Sequence, residues 1–404
     1  MGTYGEGKPV FQRIASGAEP LPPPTMTWRH SRGRAVLRQM PGLAVEELAL
    51  DEARRALPSP LETFRERADR WTPFVEPSYL ALWEKCLGPQ NRCRIVTAWD
   101  GRGELAAYGP FMRVRGHVGP MPVSTLRFIG NNTGYPGDIL HVDVLATNEQ
   151  RPSVRAVLGH VASTWSLGKW DLGYLPPSSP TWRAASEILG DGFVAPGRLA
   201  PVPFVSVPLP GEWDEYLASL TSNTRSSYRR GLRTLDAQGS LKVVVETTPQ
   251  NARRRVEELI ENHLRWLTGT EKEGWFTAGG VREFLVSSSE LLAREGQFLT
   301  SALELNGTPI AWIHGAADAR TFFAQISSYD RTYAEGSPGL VLGLELVHEL
   351  ITRGFRRVDL GPGSTLYKSR LGGVEEPHLR TLGYQGWTRR AAWAQNVIRA
   401  RSDG

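Results

Sequence analysis

Apolar positions recur with two different periods along this chain. Leu340, Val341, Leu344, Val347, Leu350 and Ile351 follow one another at three- and four-residue spacing, which predicts an amphipathic helix with one face in a core. Ser337 is placed to cap it, Pro338 suits its first position and Gly354 is placed to end it. Shorter helices are predicted at "PSYLALWEKCLG", at "TRSSYRRGLRTLDAQ" with Tyr228, Leu232 and Leu235 on its apolar face, and at "ELIENHLRWL". Elsewhere the pattern is that of strands. "RIVTAWDGRGELAAYGPFMRV" predicts a hairpin turning at Asp100–Gly103, and "FLTSALELNGTPIAWIHGAAD" predicts another at Asn306–Gly307, with Leu299, Leu303 and Leu305 on one face.

The two hairpins belong to a longer likeness. A helical run holding His160 precedes "LGKWDLG" (167–173), and one holding His348 precedes "RGFRRVDLG" (353–361). Hairpin, further strand, helix and a strand ending Asp-Leu-Gly thus occur twice, roughly 190 residues apart, which predicts two copies of one α/β module rather than a solenoid. The expected fold class is α/β (α+β), each module a mixed β-sheet flanked by helices. Residues 1–60 read as an N-terminal arm, flexible in part on account of "AEPLPPPT", and residues 61–200 as the first module. Residues 201–388 read as the second module and 389–404 as a C-terminal helix or tail. The proline-rich stretch "APGRLAPVPFVSVPLPG" (195–211) reads as the connector, with "FVSV" a short edge strand.

Composition narrows the function classes. A 404-residue chain that is 40% hydrophobic, with 13 Trp and 13 Phe, can fill two or three cores. No apolar run reaches the ~18 residues of a membrane-spanning helix, and no apolar segment follows Lys8 and Arg13 as in a secretory signal, so the expectation is a cytoplasmic protein without membrane insertion. Cys86 and Cys93 stand without a paired Cys or His motif, so no metal is expected. The net charge of +5 is compatible with an acidic cofactor or RNA. Only six of the 47 basic residues are lysines, so a single arginine says little about phosphate binding.

The helix start carries more glycine than its capping requires. Gly339 in a first turn costs up to ~1 kcal/mol relative to alanine, which suggests close approach of something to the backbone. Gly336, Ser337 and Gly339 at a helix N-terminus, with free N–H groups and the positive end of the dipole, suit a phosphate or pyrophosphate. A tightly turned core helix is the alternative reading of the same residues. The first module lacks this cluster, so a phosphorylated cofactor would bind only the second.

"SNTRSSYRRGLRTLDAQG" (222–239), "NHLRW" (262–266), the Asn306–Gly307 hairpin, "YDRTYAEGSPG" (329–339) and "VDLGPGSTLYKSRLGG" carry a family likeness. Over roughly residues 70–385 the chain resembles GNAT-type N-acyltransferases of the cellulose-biosynthesis-type acetyltransferase branch, related to the tandem-GNAT Fem-type aminoacyl transferases. The resemblance implies that the glycine cluster binds the pyrophosphate of acetyl-CoA or another acyl-CoA. It implies that the strand "TFFAQISSYD" holds the acyl carbonyl near Ile326, Ser327 and Ser328. It also implies that Tyr367 protonates the leaving thiolate. The sequence departs from the usual pattern of an Arg or Gln followed by closely spaced glycines: Gly336 and Gly339 are three apart and Pro338 removes a donor. That leaves the acyl donor open between acyl-CoA and aminoacyl-tRNA.

Acyl transfer to an amine needs a neutral nucleophile, a home for the developing oxyanion and a proton source for the thiolate, but no covalent enzyme intermediate. Asp330, at the strand end, is placed to take a proton from the incoming ammonium or simply to form a turn. His263 shares a helical face with Leu259 and Trp266, so it is a second candidate base, with Trp266 beside it as a substrate contact. His314 alternates with Ile310 and Trp312 and reads as a packed residue. Lys368 is placed to bind a phosphate or a substrate carboxylate. Arg225, Arg229 and Arg233 form a stripe that suits RNA, cofactor phosphates or solvent. The expected acceptor is a small-molecule primary amine; tRNA is the partner in the Fem-like alternative, and a GNAT fold without chemistry is the third reading.

Overall fold

Two short turns set the registers of the fold. Asn306 and Gly307 both take positive φ, 52° and 77°, which a two-residue type I′ hairpin requires. At the first hairpin Asp100 Oδ1 accepts the N–H groups of Arg102 and Glu104. The computed structural model describes residues 42–68, 70–131, 137–147, 151–194, 199–270 and 273–392. The first forty residues, the start of the connector and most of the expected tail lie outside the described residues.

The N-terminal half begins with β1 (Ala44–Leu48), α1 (Leu50–Ala56), α2 (Pro58–Arg67) and α3 (Pro77–Leu87). Then come β2 (Arg92–Trp99), β3 (Leu105–Val118), β4 (Met121–Phe128), β5 (Leu145–Ala146), α4 (Arg151–Thr164), β6 (Lys169–Leu175) and α5 (Pro180–Leu189). The C-terminal half holds β7 (Val202–Pro208), α6 (Trp213–Ser219), α7 (Ser222–Asp236), β8 (Leu241–Glu246), α8 (Pro249–Leu267) and α9 (Val281–Arg294). It continues through β9 (Phe298–Leu305), β10 (Thr308–Ala317), β11 (Thr321–Tyr329), α10 (Pro338–Thr352), β12 (Arg357–Pro362), α11 (Leu366–Arg370) and β13 (Val374–Tyr384). The strands form one mixed sheet, β1-β2-β3-β4-β6-β13-β7-β12-β11-β10-β9-β8, with β5 beside β3. The mixed α/β class expected from the sequence is the one observed.

Residues 44–60, expected to form part of an arm, add a strand to the sheet and helix to the core instead. β1 pairs antiparallel with β2, and Leu50, Ala53 and Leu57 are buried in the N-terminal core. The stretch "FVSV" is likewise no edge strand. β7 lies between β12 and β13, and its Pro203 faces Pro377, so the missing donors of two prolines fall on one rung.

The repeated Asp-Leu-Gly has a structural meaning. In β6 a register shift separates the rungs of Asp171 and Tyr174, and Gly173 takes φ 73°. In β12 the shift lies between Asp359 and Pro362, and Gly361 takes φ 69°. Both are bulges whose glycine adopts the left-handed conformation that other residues resist. Each ends a strand that pairs in parallel with its module's third strand, β4 or β11.

Strand β13 joins the halves. Its first part, Val374–His378, pairs with β7, and its second part, Leu379–Tyr384, pairs with β6. Arg380 on β13 donates to Asp171 Oδ2 at 3.1 Å, and Arg127 of β4 lies 3.7 Å from the same oxygen. Asp171 is 1% exposed, so its carboxylate depends on those guanidinium groups. Asp171→Ala, by leaving the cations without their partner, is expected to destabilise the protein by about 3 kcal/mol in urea unfolding. A change below about 0.5 kcal/mol would show that the strand is held by its backbone ladder alone.

Candidate active site

The ends of β11 and β12 diverge. They pair in parallel through Thr321–Arg357, Phe322–Val358 and Phe323–Asp359, and no further. On one side β11 stays bonded to β10, with an extra residue, Gln325, bulged where Gly315 opposes Ala324 and His314 opposes Ile326. On the other side β12 stays bonded to β7. The result is a V whose apex is the Phe323–Asp359 rung.

The edge of β11 that faces the V follows from ladder parity. The Asp330 N–H donates to Ile310 O at 2.8 Å, so Asp330, Ser328 and Ile326 turn their peptide groups toward β10. Ser327 and Tyr329 turn theirs to the open edge. Of the three residues expected to hold an acyl carbonyl, Ser327 is therefore the one whose N–H faces the V. Its carbonyl is already engaged: His263 Nε2 lies 3.1 Å from it and donates to it.

Helix α10 starts at the mouth of the V. Ser337 takes φ 49°, ψ 51° and its side chain caps nothing, contrary to the expected hydroxyl cap. Its carbonyl accepts from Leu340 and Val341, Pro338 has no N–H, and the Gly339 N–H has no acceptor among the described residues. Pro338 at the first position is as expected. The helix ends where Gly354 was expected to end it: Gly354 N–H bonds Ile351 O and Phe355 N–H bonds Leu350 O, a Schellman closure with Gly354 at φ 83°.

The glycines of this region have separate reasons. A Cβ on Gly336 would lie 2.5 Å from Leu235, and one on Gly231 would lie 2.6 Å from Gly336 O, so α7 packs on the turn before α10 through paired glycines. A Cβ on Gly343 would lie 2.8 Å from the Tyr367 hydroxyl. One on Gly339 would meet nothing closer than Tyr329, at 3.4 Å. Packing therefore accounts for Gly336 and Gly343 but leaves space above Gly339, beside a free N–H at the positive end of a 15-residue helix.

Helix α8 lies over the opposite face of β11. Buried Arg255 anchors it through Glu246 at 2.6 Å, Glu258 at 3.0 Å and Glu304. This places Asn262, fully buried, to donate to Ser328 Oγ at 2.7 Å while its Oδ1 accepts from Arg265 and Trp266. Trp266 carries the Arg331 guanidinium over its ring at 5.3 Å, and His263 stacks on Phe276 at 5.0 Å. Asn262 lay within "NHLRW" but carried no signal of its own, because an interior amide is recognisable only by its partners.

The remaining candidates divide. Asp330 Oδ1 accepts from the N–H and the hydroxyl of Thr332, forming the turn that leads toward α10, and it lines a groove of about 560 Å³ with Glu258, Glu261, Arg265 and Trp312. Lys368 Nζ donates to Gly361 O at 3.0 Å and Pro362 O at 2.7 Å, pinning the bulge of β12. Burial lowers its pKa to about 8, against the attraction of Asp359. Tyr367, on α11, is set against α10, and burial alone holds its phenol well above the ordinary tyrosine range. It is a donor that stays protonated. His314, read as packed, is 1% exposed, and burial lowers its pKa to about 4. Within the arginine stripe, Arg225 donates to the carbonyls of Ala218 and Leu220 at the end of α6, whereas Arg229 and Arg233 are exposed.

Residues 222–369 match the family described as an acetyltransferase (GNAT) domain, and the C-terminal half accordingly carries a GNAT acyltransferase domain. The solved structure of FemX superposes with a TM-score of 0.55 at 10% identity, covering 83% of this chain and 96% of that one. A conserved protein of unknown function from Bacteroides thetaiotaomicron VPI-5482 gives 0.51 at 11%, covering 85% and 100%. The C-terminal domain of a putative lysylphosphatidylglycerol synthetase from Agrobacterium fabrum gives 0.50 at 12%, covering 84% and 96%. At these identities the likeness is one of fold. No curated protein matches the chain. Among the described residues no helix is long and apolar enough to cross a membrane, and no group of His, Cys, Asp or Glu is arranged to hold a metal.

The glycines predict a contrast. Gly343→Ala, which drives a methyl into Tyr367 and Leu371, is expected to destabilise the fold by about 1–3 kcal/mol. Gly339→Ala is expected to leave stability unchanged or raised by up to ~1 kcal/mol. Equal losses in urea titrations would remove the distinction between a packing glycine and an open one.

Proposed function

We propose that the protein transfers an acyl group from acyl-CoA, acetyl-CoA in the simplest case, to a primary amine by direct attack. The observation that carries the reading is the V between β11 and β12 with the open N-terminus of α10 at its mouth. A pyrophosphate suits the Gly339 N–H and the space above it. A thioester carbonyl suits the open edge of β11, where the Ser327 N–H is oriented to stabilise the developing oxyanion. Tyr367 supplies a protonated hydroxyl for the departing sulfur. With its acidity suppressed by burial it serves as a hydrogen-bond donor to sulfur more than as a full acid. His263, bonded to the Ser327 carbonyl, fixes that edge. The acceptor enters on the α8 face, where the N-terminal half covers the sheet. Division into an N-terminal module over 61–200 without the cofactor cluster and a catalytic module over 201–388, within the cellulose-biosynthesis branch, is part of the same proposal, as is a soluble acceptor such as an amino acid or amino sugar.

Calorimetry with acetyl-CoA tests the donor; absence of binding at millimolar ligand would end this reading. Gly339→Val is expected to weaken binding at least about tenfold, by crowding the anion position. Tyr367→Phe is expected to lower kcat about ten- to a hundredfold while changing the acetyl-CoA Kd less than about threefold. Wild-type turnover in that variant, with chemistry rate-limiting, would take Tyr367 out of the mechanism.

A second reading, transfer from aminoacyl-tRNA, is favoured by Arg229, Arg230 and Arg233, exposed on α7 with no ion pair among the described residues. Binding to unfractionated tRNA should then fall steeply as salt rises. A flat or absent response would dismiss it.

A further inference from the structure

The two halves offer an internal comparison at the Asp-Leu-Gly bulge. In the N-terminal half the buried Asp171 meets guanidinium groups, Arg380 and Arg127, which cannot accept a proton. In the C-terminal half the corresponding Asp359, 7% exposed, keeps one guanidinium, Arg357 at 3.4 Å from Oδ2, but its other oxygen meets an imidazole: His141 Nε2 lies 3.3 Å from Asp359 Oδ1. That histidine comes from the N-terminal half, from the loop before β5. Its ring packs against Phe323 at 5.4 Å, Phe204 at 5.9 Å and Phe74 at 6.3 Å. Phe323 and Asp359 form the last rung before β11 and β12 part, so His141 sits at the apex of the V, on the face opposite α10.

We propose that His141 is the general base of the acyl transfer and Asp359 its positioning residue, so that the N-terminal half contributes directly to the chemistry. The proposal rests on the acyl-CoA reading above. Asp359 Oδ1 is itself fixed by the Gly361 N–H at 2.8 Å. Accepting from Nε2–H, it selects the imidazole tautomer whose lone pair is on Nδ1. Among the described residues Nδ1 has no hydrogen-bond partner in the protein, and the side chain keeps 17% of its surface exposed. In the step, the ammonium gives one proton to Nδ1, the neutral nitrogen attacks the thioester carbon, and the C–N bond forms. As the C–S bond breaks, the second nitrogen-bound proton is lost to solvent. The sulfur leaves as thiolate hydrogen-bonded by the Tyr367 hydroxyl and takes its proton from water, and the imidazolium returns its proton to solvent.

The charged neighbourhood favours this role. Burial raises the Asp359 pKa, but the opposing pull of His141, the Gly361 N–H and Arg357 brings it down to about 2, so the carboxylate persists across the working range. His378 on β13, stacked on Phe204 at 3.8 Å, is lowered to about 4 by burial and by His141, and stays neutral. Among the described residues Lys368, Arg357 and the Arg70–Asp143 pair are the further charged groups that act on Asp359 or His378 or flank His141.

Acetyl-CoA turnover with lysine, glucosamine and spermidine as probe amines tests the dyad, together with acetyl-CoA calorimetry and ring-nitrogen NMR of histidine-labelled protein. His141→Gln is expected to lose about a hundredfold in kcat/KM, with acetyl-CoA Kd within about threefold. Asp359→Asn, which removes the carboxylate that accepts from Nε2–H, is expected to relax the Nε2–H tautomer. Wild-type turnover in His141→Gln would overturn the dyad and leave the acyl-CoA reading standing. Failure of the wild type to bind acetyl-CoA would overturn both. If no probe amine reacts, NMR decides: a proton on Nδ1 rather than Nε2 in the folded wild type overturns the dyad, and the reverse supports it.

Discussion

Two parallel strands that stop pairing after the Phe323–Asp359 rung are the constraint on which the site depends. A sheet normally satisfies every backbone group on its inner strands, and opening it leaves donors and acceptors that need other partners. Here the opening is held from both sides. β10 retains β11 through the Gln325 bulge, and β7 retains β12 through the Leu360–Gly361 bulge. The freed Ser327 carbonyl is met by His263, and the freed edge otherwise faces the V. Strain is not needed to keep the strands apart, because each is bonded more extensively to its outer neighbour than to the other.

The halves are unequal uses of one pattern. Both end their parallel strand in Asp-Leu-Gly with the glycine at positive φ, and both bury the aspartate. In one half guanidinium groups neutralise that aspartate and tie down β13. In the other it keeps one arginine, Arg357, and turns its second oxygen to an imidazole across the seam. Duplication supplies the geometry, and the identity of one partner side chain separates a structural ion pair from a pair able to move a proton.

Local patterns made much of this legible in the sequence. The Asn306–Gly307 turn, the α10 face and the paired hairpins depend on neighbouring residues and were read from them. The repeat was visible because both copies kept the order of elements and the Asp-Leu-Gly strand end. What stayed hidden was set by distant partners. Prolines made the segment around Phe204 read as an edge, yet β13, arriving from the far end of the described chain, covers it. β1 was lost in a segment whose leading residues look unstructured. Asn262 and His141 sit in stretches without distinctive periodicity, and their roles depend on Ser328 and Asp359. Lys368 reads as a ligand contact because its chemistry permits one, yet the bulge of β12 brings the carbonyls of Gly361 and Pro362 onto its ammonium.

The shared strand also imposes an order on assembly. β6 lies inside the finished sheet, but its neighbour on one side, Leu379–Tyr384, follows the whole GNAT domain in the chain. During synthesis from the N-terminus, β1–β4 and β6 can associate early while β6 still presents a bare edge, and unpaired edges invite pairing with other chains. Asp171 waits through the same interval for Arg380. The first half thus emerges as an incomplete sheet, and its last seam closes only after the ribosome has delivered nearly all of the described residues.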